Sequence, residues 1–349
     1  MTLSWGTRLP DVVPNKGCLF LESVWLKVCA NHMQGELHVL SGPKVCLPFE
    51  LITLPVRGVP TRVLRVLGDP LADQFFVMQA AEITWPDILD AFNHGPACDV
   101  IVLSELQATP ALENLIARSA LDTGFRMIWR QCGSAPVVAL KPDGKDLDVS
   151  DYSSTLRNRL KRGRKKMAAA GEMRVAHYLP KPDDVDDLIE TMKSIEDDSW
   201  KGDEDTGLFR DDRLDFVREL SHGLAAVEQL EIYVMTLDGH PISYRYGFRH
   251  DGRFLDYNLA YRQEFGALSP GRLLLDEIVK TSLSHGLDAV DASRGSMIRP
   301  HILADWPCDI RPHYRLTLYR ATPRGLLLYF LETCAKPALQ KVKHIFSRS

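Results

Sequence analysis

The chain lacks the features of a protein held together by disulfides or structural zinc. Its seven cysteines are an odd number, and no two of them stand in a CxxC spacing. Neither a disulfide framework nor a zinc ribbon fits this pattern. We therefore expect reduced, mostly buried thiols, as in proteins of a reducing cytoplasm, and no metal site.

Long apolar runs are missing as well. The longest run near either end of the chain is Leu326–Leu331, which Glu332 ends, whereas a helix needs about 20 apolar residues to cross a bilayer. The first 17 residues carry Arg8, Asp11 and two prolines before any apolar run, which does not fit a secretory signal. The sequence predicts a cytoplasmic location.

Neither sign of charge is in large excess. The 349 residues include 42 Lys and Arg against 46 Asp and Glu, with 45% apolar and 25% charged residues overall. This composition is that of an ordinary globular protein and excludes collagen-like and wholly disordered chains. It also argues against a general nucleic-acid coat protein, although a local basic patch is compatible with it. The length predicts two domains.

The first half of the chain alternates strand and helix patterns. The sequence predicts strands around positions 36–40, 45–51, 100–103, 127–131 and 137–140, and helices over positions 85–93 and 111–122. The turn cluster Lys141–Lys145 precedes a change of composition. We therefore predict a first domain at residues 1–150.

Two oppositely charged helices open the second half. Seven of the ten residues from Arg157 to Lys166 are basic, and the segment Asp183–Asp198 carries eight acidic residues. Ser153 or Ser154 can cap the basic helix, which Gly171 ends. The two helices either attract one another and flank one groove, or present two solvated faces.

A three-stranded meander is the clearest pattern in the sequence. Strands are predicted at Leu230–Leu237, Pro241–Arg249 and Arg253–Tyr261, joined by turns that contain Asp-Gly. A loop then leads to the helix Gly271–His285 and to a strand at Asp288–Ala292. We predict a second domain at residues 151–322 and a basic C-terminal helix at residues 323–349.

The start of the helix after the meander is suited to binding phosphate. The first turn of any helix offers unpaired N–H groups and the positive end of the dipole. Here Ser269 can cap, Pro270 suits the first helical position, Gly271 permits close approach to the backbone, and Arg272 adds a cation. A well-capped helix needs no ligand, so a purely structural role is the alternative.

Four segments together carry a more specific pattern. They are the basic helix that closes on Gly171, the helix that ends in Trp200, the meander with Asp238–Ile242, and the helix start Ser269–Gly271 that is followed by Asp291. With the order of elements, they resemble the GNAT acetyltransferases. Residues 154–293 are similar in particular to the acetyltransferase domain of the cellulose-biosynthesis (CelD-type) family, which is related to the FemAB transferases.

This resemblance implies the fold and the co-substrate. The expected fold class is α/β (α+β), with tandem GNAT-like domains, each a mixed, largely antiparallel sheet flanked by helices, the first of them degenerate. The expected co-substrate is acetyl-CoA or another acyl-CoA, whose thioester arm enters between two splayed strands. The resemblance assigns its diphosphate to six consecutive residues: Leu268, Ser269, Pro270, Gly271, Arg272 and Leu273.

The sequence departs from the family pattern at two places. Gly266 and Ser269 stand where the GNAT phosphate motif has Arg or Gln and its first glycine. The segment Arg294–His301 lacks the Tyr-Lys pair of the C-terminal signature.

The third strand of the meander supplies the catalytic candidates. Transfer to an amine needs a base that titrates near pH 7 and a proton for the leaving thiolate. Strand alternation predicts positions 254, 256, 258 and 260 on one face and positions 255, 257, 259 and 261 on the other. Asp256 is the candidate base or a cross-strand partner of Arg245 or Arg249. Tyr257 and Tyr261 are candidate proton donors or packing residues.

Acceptor contacts are predicted around the end of the last strand. The candidates are Trp200, Asp291, Arg294, Arg299 and His301. Asp291 and Arg294 suit either substrate binding or a plain ion pair, and Trp200 either walls the acceptor site or packs in the core. His301 is a further candidate base.

The predicted function is acyl-CoA-dependent N-acyl transfer to a sugar, nucleotide-sugar or polysaccharide precursor of envelope or exopolysaccharide biosynthesis. The alternatives are a FemAB-like transferase that uses aminoacyl-tRNA and a non-catalytic GNAT-like binding protein. The basic helix is a solvated face, attracts an anionic acceptor or the 3′-phosphate of CoA, or contacts RNA. No interleaved aromatic residues support RNA binding, so nucleic acid is not the expected partner.

The C-terminal segment Arg324–Phe346 combines the apolar run with several cations. It suits peripheral contact with an anionic membrane surface or with polysaccharide-synthesis machinery, or docking on the protein itself.

Overall fold

The structure is a computed structural model of the chain and describes residues 3–10, 17–42, 45–75, 84–107, 110–203, 206–298 and 300–335. The chain divides into two compact units: the first contains residues 1–132 and 313–349, and the second contains residues 133–312. This division differs from the predicted limits at 150 and 322, because the backbone from residue 133 onward packs within the second unit and residues after 312 return to the first.

Strands and helices are numbered in chain order. The strands are β1 Ser4–Gly6, β2 Glu36–Gly42, β3 Val45–Val56, β4 Val59–Val66, β5 Val100–Gln107, β6 Arg126–Ala139, β7 Met173–Tyr178, β8 Leu230–Leu237, β9 His240–His250, β10 Arg253–Tyr261, β11 Ala289–Asp291 and β12 Asp309–Tyr319. The helices are α1 Ser23–His32, α2 Trp85–Asn93, α3 Pro110–Asp122, α4 Ser154–Ala170, α5 Val185–Asp197, α6 Trp200–Asp203, α7 Asp211–Ala226, α8 Pro270–Ser284 and α9 Pro323–Phe330.

The first unit has the strand order β1-β2-β3-β4-β5-β12. Its pairs are antiparallel except β4 with β5, which run parallel over residues 63–65 and 100–102. Farther along β5, Phe75 forms an isolated bridge: its N–H donates to the Glu105 carbonyl and its carbonyl accepts from the Gln107 N–H, each at 3.0 Å. The chain's own backbone therefore fills the space beside β5.

The second unit has the strand order β6-β11-β10-β9-β8-β7. The predicted meander is confirmed as β8, β9 and β10, and the helix and strand that follow it are confirmed as α8 and β11. Strands β10 and β11 run parallel but pair only over residues 253–255 and 289–291. Strand β10 then continues to Tyr261 alongside β9 alone.

Helices α4 and α8 cover one face of this sheet. Helix α4 buries Leu156, Leu160, Gly163 and Met167, which recur every three or four residues and turn the basic side chains outward. A Cβ added to Gly163 would lie 3.3 Å from a methyl group of Leu273, so glycine lets the two helices approach closely. The shared core includes residues of both helices and of β8, β10 and β11: Leu156, Leu160, Tyr233, Phe254, Leu274, Ile278 and Val290.

Helices α5 and α7 cover the opposite face. The Tyr244 hydroxyl donates to Glu196 of α5 at 2.8 Å, and the Tyr246 hydroxyl shares a 2.9 Å hydrogen bond with Ser221 of α7. Arg245 lies between these tyrosines on β9 and contacts the Gly271 carbonyl of α8. Successive side chains of a strand point to opposite faces, so the acidic helix α5 and the basic helix α4 lie on different sides of the sheet.

Of the two alternatives, attraction between these charged helices across a shared groove is therefore excluded. Acidic residues of α5 pair instead with Arg218 of α7, at 2.9 Å from Asp186 and 3.2 Å from Glu190. The N-terminal cap of α4 is confirmed, because the Ser153 hydroxyl accepts from the Leu156 N–H at 3.1 Å.

Other predicted elements differ in extent. The two short strands predicted near positions 127–131 and 137–140 form the single strand β6. The C-terminal helix is α9, followed by one π-helical turn over Leu331–Ala335, and the rest of its predicted span lies outside the described residues. In the described part of the chain, no helix is long and apolar enough to cross a membrane. All seven cysteines are free, and four of them are buried.

Candidate functional site

In the second unit, no described strand pairs with one side of β10 beyond Leu255, and this unpaired stretch is called the gap. Strand β11 ends at Asp291, so its pairing with β10 stops at Leu255. At the same place the register between β10 and β9 shifts, between Asp256 and Asn258. The shift is a β-bulge at Tyr257, which adds one residue to β10 and bends the strand locally. The bulge thus lies directly after the point where the pairing with β11 stops.

The bulge also changes which side chains share a face. Tyr257 contacts the rings of Tyr246 and Phe248, at centroid distances of 6.2 and 4.8 Å, on the α5–α7 side. Tyr261 lies on the α8 side, where its ring is 3.7 Å from a Cβ built on Gly271. The prediction that Tyr257 and Tyr261 share a face is therefore wrong, because a bulge interrupts the period of two.

Asp256 and Asn258 are separated by the same bulge. Asp256 pairs with Arg245 on the α8 side, whereas Asn258 donates to Glu196 at 3.1 Å and to Tyr244 at 2.8 Å on the α5 side. Simple alternation had predicted one face for both residues.

Asp256 lies in a fully buried ion pair. Its carboxylate accepts from Arg245, the cross-strand contact that was the structural alternative to a catalytic base. The same guanidinium donates to the Gly271 carbonyl at 3.0 Å, which ties the pair to the first turn of α8. Burial lowers the pKa of Arg245, and the Asp256 charge opposes that effect. The second carboxylate oxygen of Asp256 has no hydrogen-bond partner among the described residues.

His301 adjoins this ion pair. Its Nε2 lies 3.5 Å from Asp256, and its Nδ1 accepts from the Leu303 N–H at 3.2 Å. Burial lowers the pKa of His301 to about 4, so the ring is neutral at pH 7. Because Nδ1 is an acceptor, the proton of the neutral ring is on Nε2, facing Asp256. As arranged, His301 has no free lone pair with which to take a proton from a substrate.

The start of α8 matches its prediction in part. The helix begins at Pro270, as expected, and Gly271 is buried. The cap prediction for Ser269 is wrong: the side chain makes no capping hydrogen bond, and the residue has φ +62° and ψ +45° in the left-handed region. The carbonyl of Ser269 accepts from the N–H groups of Arg272 and Leu273 at 3.1 and 3.2 Å. No acceptor for the Gly271 N–H is seen among the described residues.

An open pocket of about 470 Å³ adjoins this helix start. Helix α8 and its preceding residue contribute Arg272 and Ser269, and α4 contributes the rest of the lining: Arg159, Arg162, Gly163 and Lys166. Four of the six lining residues are cations, and at Gly163 an added Cβ would lie 3.3 Å from Leu273 of α8. A cationic pocket before a helix N-terminus attracts phosphate groups.

Asp305 orients two of these cations. It accepts from Arg159 at 2.9 Å and from Arg272 at 2.6 Å. The Lys166 ammonium donates to the Ala267 carbonyl at 3.3 Å. Arg162 contacts its own helix, donating to the Asn158 carbonyl at 3.3 Å. The sequence identified the basic helix, but no signal pointed to Asp305.

A polar cluster lies on the opposite side of β10. The Lys201 ammonium donates to the side chain of Asn258 and lies 3.9 Å from Glu196. The same ammonium lies 5.7 Å from the ring centroid of Trp200, a predicted acceptor contact. Sequence analysis missed Lys201 and Glu196, because an isolated Lys and one Glu of an acidic helix carry no distinctive spacing.

The remaining acceptor candidates lie around the end of β11. Asp291 is fully buried, where it accepts from Arg311 at 3.0 Å and from the Ser293 N–H at 2.9 Å and lies 3.7 Å from Arg253. Asp291 is therefore a buried carboxylate paired with partly exposed arginines, which matches the ion pair that was the alternative to substrate binding. Arg294 follows on a loop, and Arg299 lies outside the described residues.

Comparisons with known proteins agree with this geometry. Residues 154–300 match the family model described as an acetyltransferase (GNAT) domain. A comparison with curated protein sequences finds no match.

Several solved structures share the fold at low sequence identity. FemX aligns with a TM-score of 0.59 and 11% identity over 91% of this chain and 96% of its own. The C-terminal domain of a proposed lysylphosphatidylglycerol synthetase from Agrobacterium fabrum aligns with a TM-score of 0.52 and 13% identity, over 85% of this chain and 89% of its own. A conserved protein of unknown function from Bacteroides thetaiotaomicron aligns with a TM-score of 0.53 and 9% identity, over 85% and 90%.

The predicted fold class is thus confirmed: GNAT-like, with mixed and largely antiparallel strand pairing flanked by helices. The description of the family model does not name the cellulose-biosynthesis subgroup, which stays a prediction. Residues 154–300, less than half of the chain, are thus similar to an acetyltransferase (GNAT) domain.

Proposed function

We propose that the second unit transfers an acyl group from acyl-CoA, most simply acetyl-CoA, to an amine. The pocket between α4 and the start of α8 carries this proposal, because it brings four cations to a helix N-terminus. The diphosphate and the 3′-phosphate of CoA are the anions that such a pocket suits. The gap beside β10 lies at the same end of α8, and it is the proposed entry for the thioester arm.

The reaction replaces a C–S bond by a C–N bond. The amine nitrogen attacks the thioester carbonyl, the thiolate leaves, and a proton passes from the amine to the sulfur. Beyond Leu255, no described strand pairs with β10 on its β11 side, and backbone N–H groups of β10 are proposed there to stabilise the developing oxyanion. Tyr261, beside Gly271, is the proposed proton donor to the thiolate, and Asp256 remains the proposed base.

The proposed diphosphate site consists of the Gly271 N–H and the Arg272 guanidinium. The backbone that positions these two groups belongs to Leu268, Pro270 and Leu273. Trp200, Asp291, Arg294, Arg299 and His301 remain proposed for the acceptor side, with Asp291 and His301 acting through the residues they hold. The proposed acceptor is the amine of a sugar, nucleotide-sugar or polysaccharide precursor, and its support is the resemblance of residues 154–293 alone.

The first experiment tests the loop backbone with Gly271→Ala. An added Cβ meets only the Tyr261 ring, at ordinary contact distance, and alanine favours the helix by roughly 0.5–1 kcal/mol. The variant should therefore fold at least as stably as the wild type. It should bind acetyl-CoA more weakly, because the methyl group narrows the approach to the backbone. Calorimetric titration and urea unfolding measure the two effects separately.

A second experiment uses charge reversal on α4. Arg162→Glu and Lys166→Glu remove cations that line the pocket, whereas Lys165→Glu changes an exposed cation on the same helix outside the lining. Each charge-assisted hydrogen bond contributes about 1.5–3 kcal/mol, so the first two variants should weaken CoA binding about tenfold or more. The Lys165 variant should bind as the wild type does. Absence of any stabilisation of the wild type by millimolar acetyl-CoA would refute the proposal.

Aminoacyl-tRNA-dependent transfer is the second candidate. It is favoured by the fold shared with FemX over 91% of the chain and by the exposed cations of α4. This function predicts RNA binding that weakens steeply with salt, and Lys165→Glu should then weaken it as much as Arg162→Glu does. Comparing the Lys165→Glu and Arg162→Glu variants therefore separates the two functions. Unequal effects on ligand binding support the CoA pocket, and equal effects on RNA binding support the tRNA-dependent function. Thiol release from acetyl-CoA with any amine would exclude the third alternative, a non-catalytic binding protein.

A further inference from the structure

A second cluster of ligand-type side chains lies at the other end of α8. His177 of β7, Glu231 of β8 and His285, the residue directly after α8, offer ligand atoms that all lie within 4.8 Å of one another. Helix α8 has 15 residues and so spans about 22 Å. The cluster is therefore remote from the phosphate pocket at the helix start and does not depend on the proposed function.

We propose that His177, Glu231 and His285 bind one divalent transition-metal ion, with Zn²⁺ the best match. Two imidazoles and one carboxylate are a donor set that zinc uses where a fourth position stays open. His285 is exposed and Glu231 is fully buried. The ion would therefore be anchored from below by the carboxylate and would face solvent above.

The sheet holds the two inner ligands in place. His177 Nε2 lies 2.8 Å from Glu231, and the His177 ring stacks on Tyr233 at a centroid distance of 4.4 Å. The Tyr233 hydroxyl donates to the same carboxylate at 2.7 Å. The rings of His177 and His285 lie 5.1 Å apart, so a rotation of the exposed His285 brings its nitrogen to the same point. Ligands oriented by such neighbours bind metal more tightly.

In the structure, the Arg249 guanidinium occupies the position that is proposed for the metal ion. It donates to Glu231 at 3.1 and 3.3 Å and lies 3.4 Å from His285 Nδ1. Its side chain is 27% exposed, so it can move into solvent when an ion enters. The site also faces the C-terminal end of α8, whose dipole favours a positive charge. Arg249 and the metal thus compete for one carboxylate.

This competition gives two variants with opposite expected effects. His285→Gln removes one exposed ligand at a helix end, so the protein should fold normally and bind the metal at least about tenfold more weakly. Arg249→Gln removes the competing cation and should bind more tightly than the wild type. His222→Gln is the matched control, because His222 lies on α7, where it contacts Asp186.

The experiment titrates untagged, chelator-treated protein with Co²⁺ and then displaces it with Zn²⁺. We expect visible absorption of four-coordinate Co²⁺ that saturates at one ion per chain, unchanged in His222→Gln and lost in His285→Gln. A thiolate-to-cobalt band in the near ultraviolet would assign the ion to cysteine and overturn the proposal. Equal binding by the wild type and His285→Gln, or no saturable binding, would overturn it as well.

Discussion

Arg245 is a fully buried guanidinium on the strand beside the gap. It joins Asp256 to the Gly271 carbonyl, so a single side chain couples the strand that leaves its partner to the helix that faces the phosphate pocket. A buried charge is tolerated only when it is paired and hydrogen-bonded. The Arg245–Asp256 pair is thus a positioning element of the site.

Removing one partner of this pair should be costly. Asp256→Ala leaves Arg245 buried without its counter-charge, which is expected to lower the free energy of unfolding by about 3–5 kcal/mol. The double variant Arg245→Met/Asp256→Leu removes both charges and should be more stable than Asp256→Ala. Urea unfolding of the single and double variants measures both values. A loss below about 1 kcal/mol in Asp256→Ala would contradict the pairing.

The pKa of His301 predicts a dependence of stability on pH. The folded protein holds the pKa at about 4, below the unfolded value near 6.5, so the unfolded chain binds more protons between these values. Stability from this group is complete above pH 6.5 and falls as the pH decreases toward 4. Between pH 7 and 5 the wild type should lose about 2 kcal/mol more than His301→Gln. Urea unfolding at both pH values tests this, and parallel losses in the two proteins would contradict it.

Among the elements, the two helices of the phosphate pocket begin in different ways. Ser153 caps α4 through its hydroxyl, whereas Ser269 precedes α8 in the left-handed region with no side-chain cap. The left-handed conformation costs a residue other than glycine about 1–2 kcal/mol. Ser269, which carries this strain, lines the pocket itself.

The two serines should therefore respond in opposite ways to substitution. Ser269→Gly relieves the left-handed strain without losing a cap and should raise the free energy of unfolding by roughly 0.5–1 kcal/mol. Ser153→Ala removes a real cap and should lower it by about 1 kcal/mol. Both are measured on the ligand-free protein by urea unfolding. Destabilisation in Ser269→Gly would show that the hydroxyl does cap α8.

In the molecule as a whole, each unit contains a parallel strand pair, and the two pairs differ in what lies beside them. In the second unit β10 leaves β11 open after three paired residues, whereas in the first the Phe75 backbone bridges to β5. In the first unit, the backbone of Phe75 thus occupies the space beside β5. Acyl-CoA should therefore act on the second unit alone.

Hydrogen exchange tests this assignment on the full chain. A ligand present at 100 times its Kd stabilises the state it binds by about 2.7 kcal/mol. With acetyl-CoA at that excess, added protection should concentrate in peptides from α4 and from the start of α8. Peptides around Phe75 and β5 should exchange as they do without ligand. Protection centred on those first-unit peptides would contradict the assignment.

How far the sequence predicts the site depends on the range of each interaction. The Asp-Gly turns, the Pro270 helix start and the run of cations in α4 are local signals, and the structure confirms the elements they predict. The side-chain faces of β10 could not be predicted, because the bulge at Tyr257 arises from pairing with β9 rather than from the strand's own alternation.

The amino-acid sequence by itself determined the meander, the helix after it and the basic helix, since turn chemistry and hydrophobic periodicity act over a few residues. Tertiary structure alone decided that Asp305 joins Arg159, 146 positions away, to Arg272, and that His177, Glu231 and His285 meet at one point. Such contacts form between segments far apart in the chain, and no local pattern of residues encodes which charge will face which.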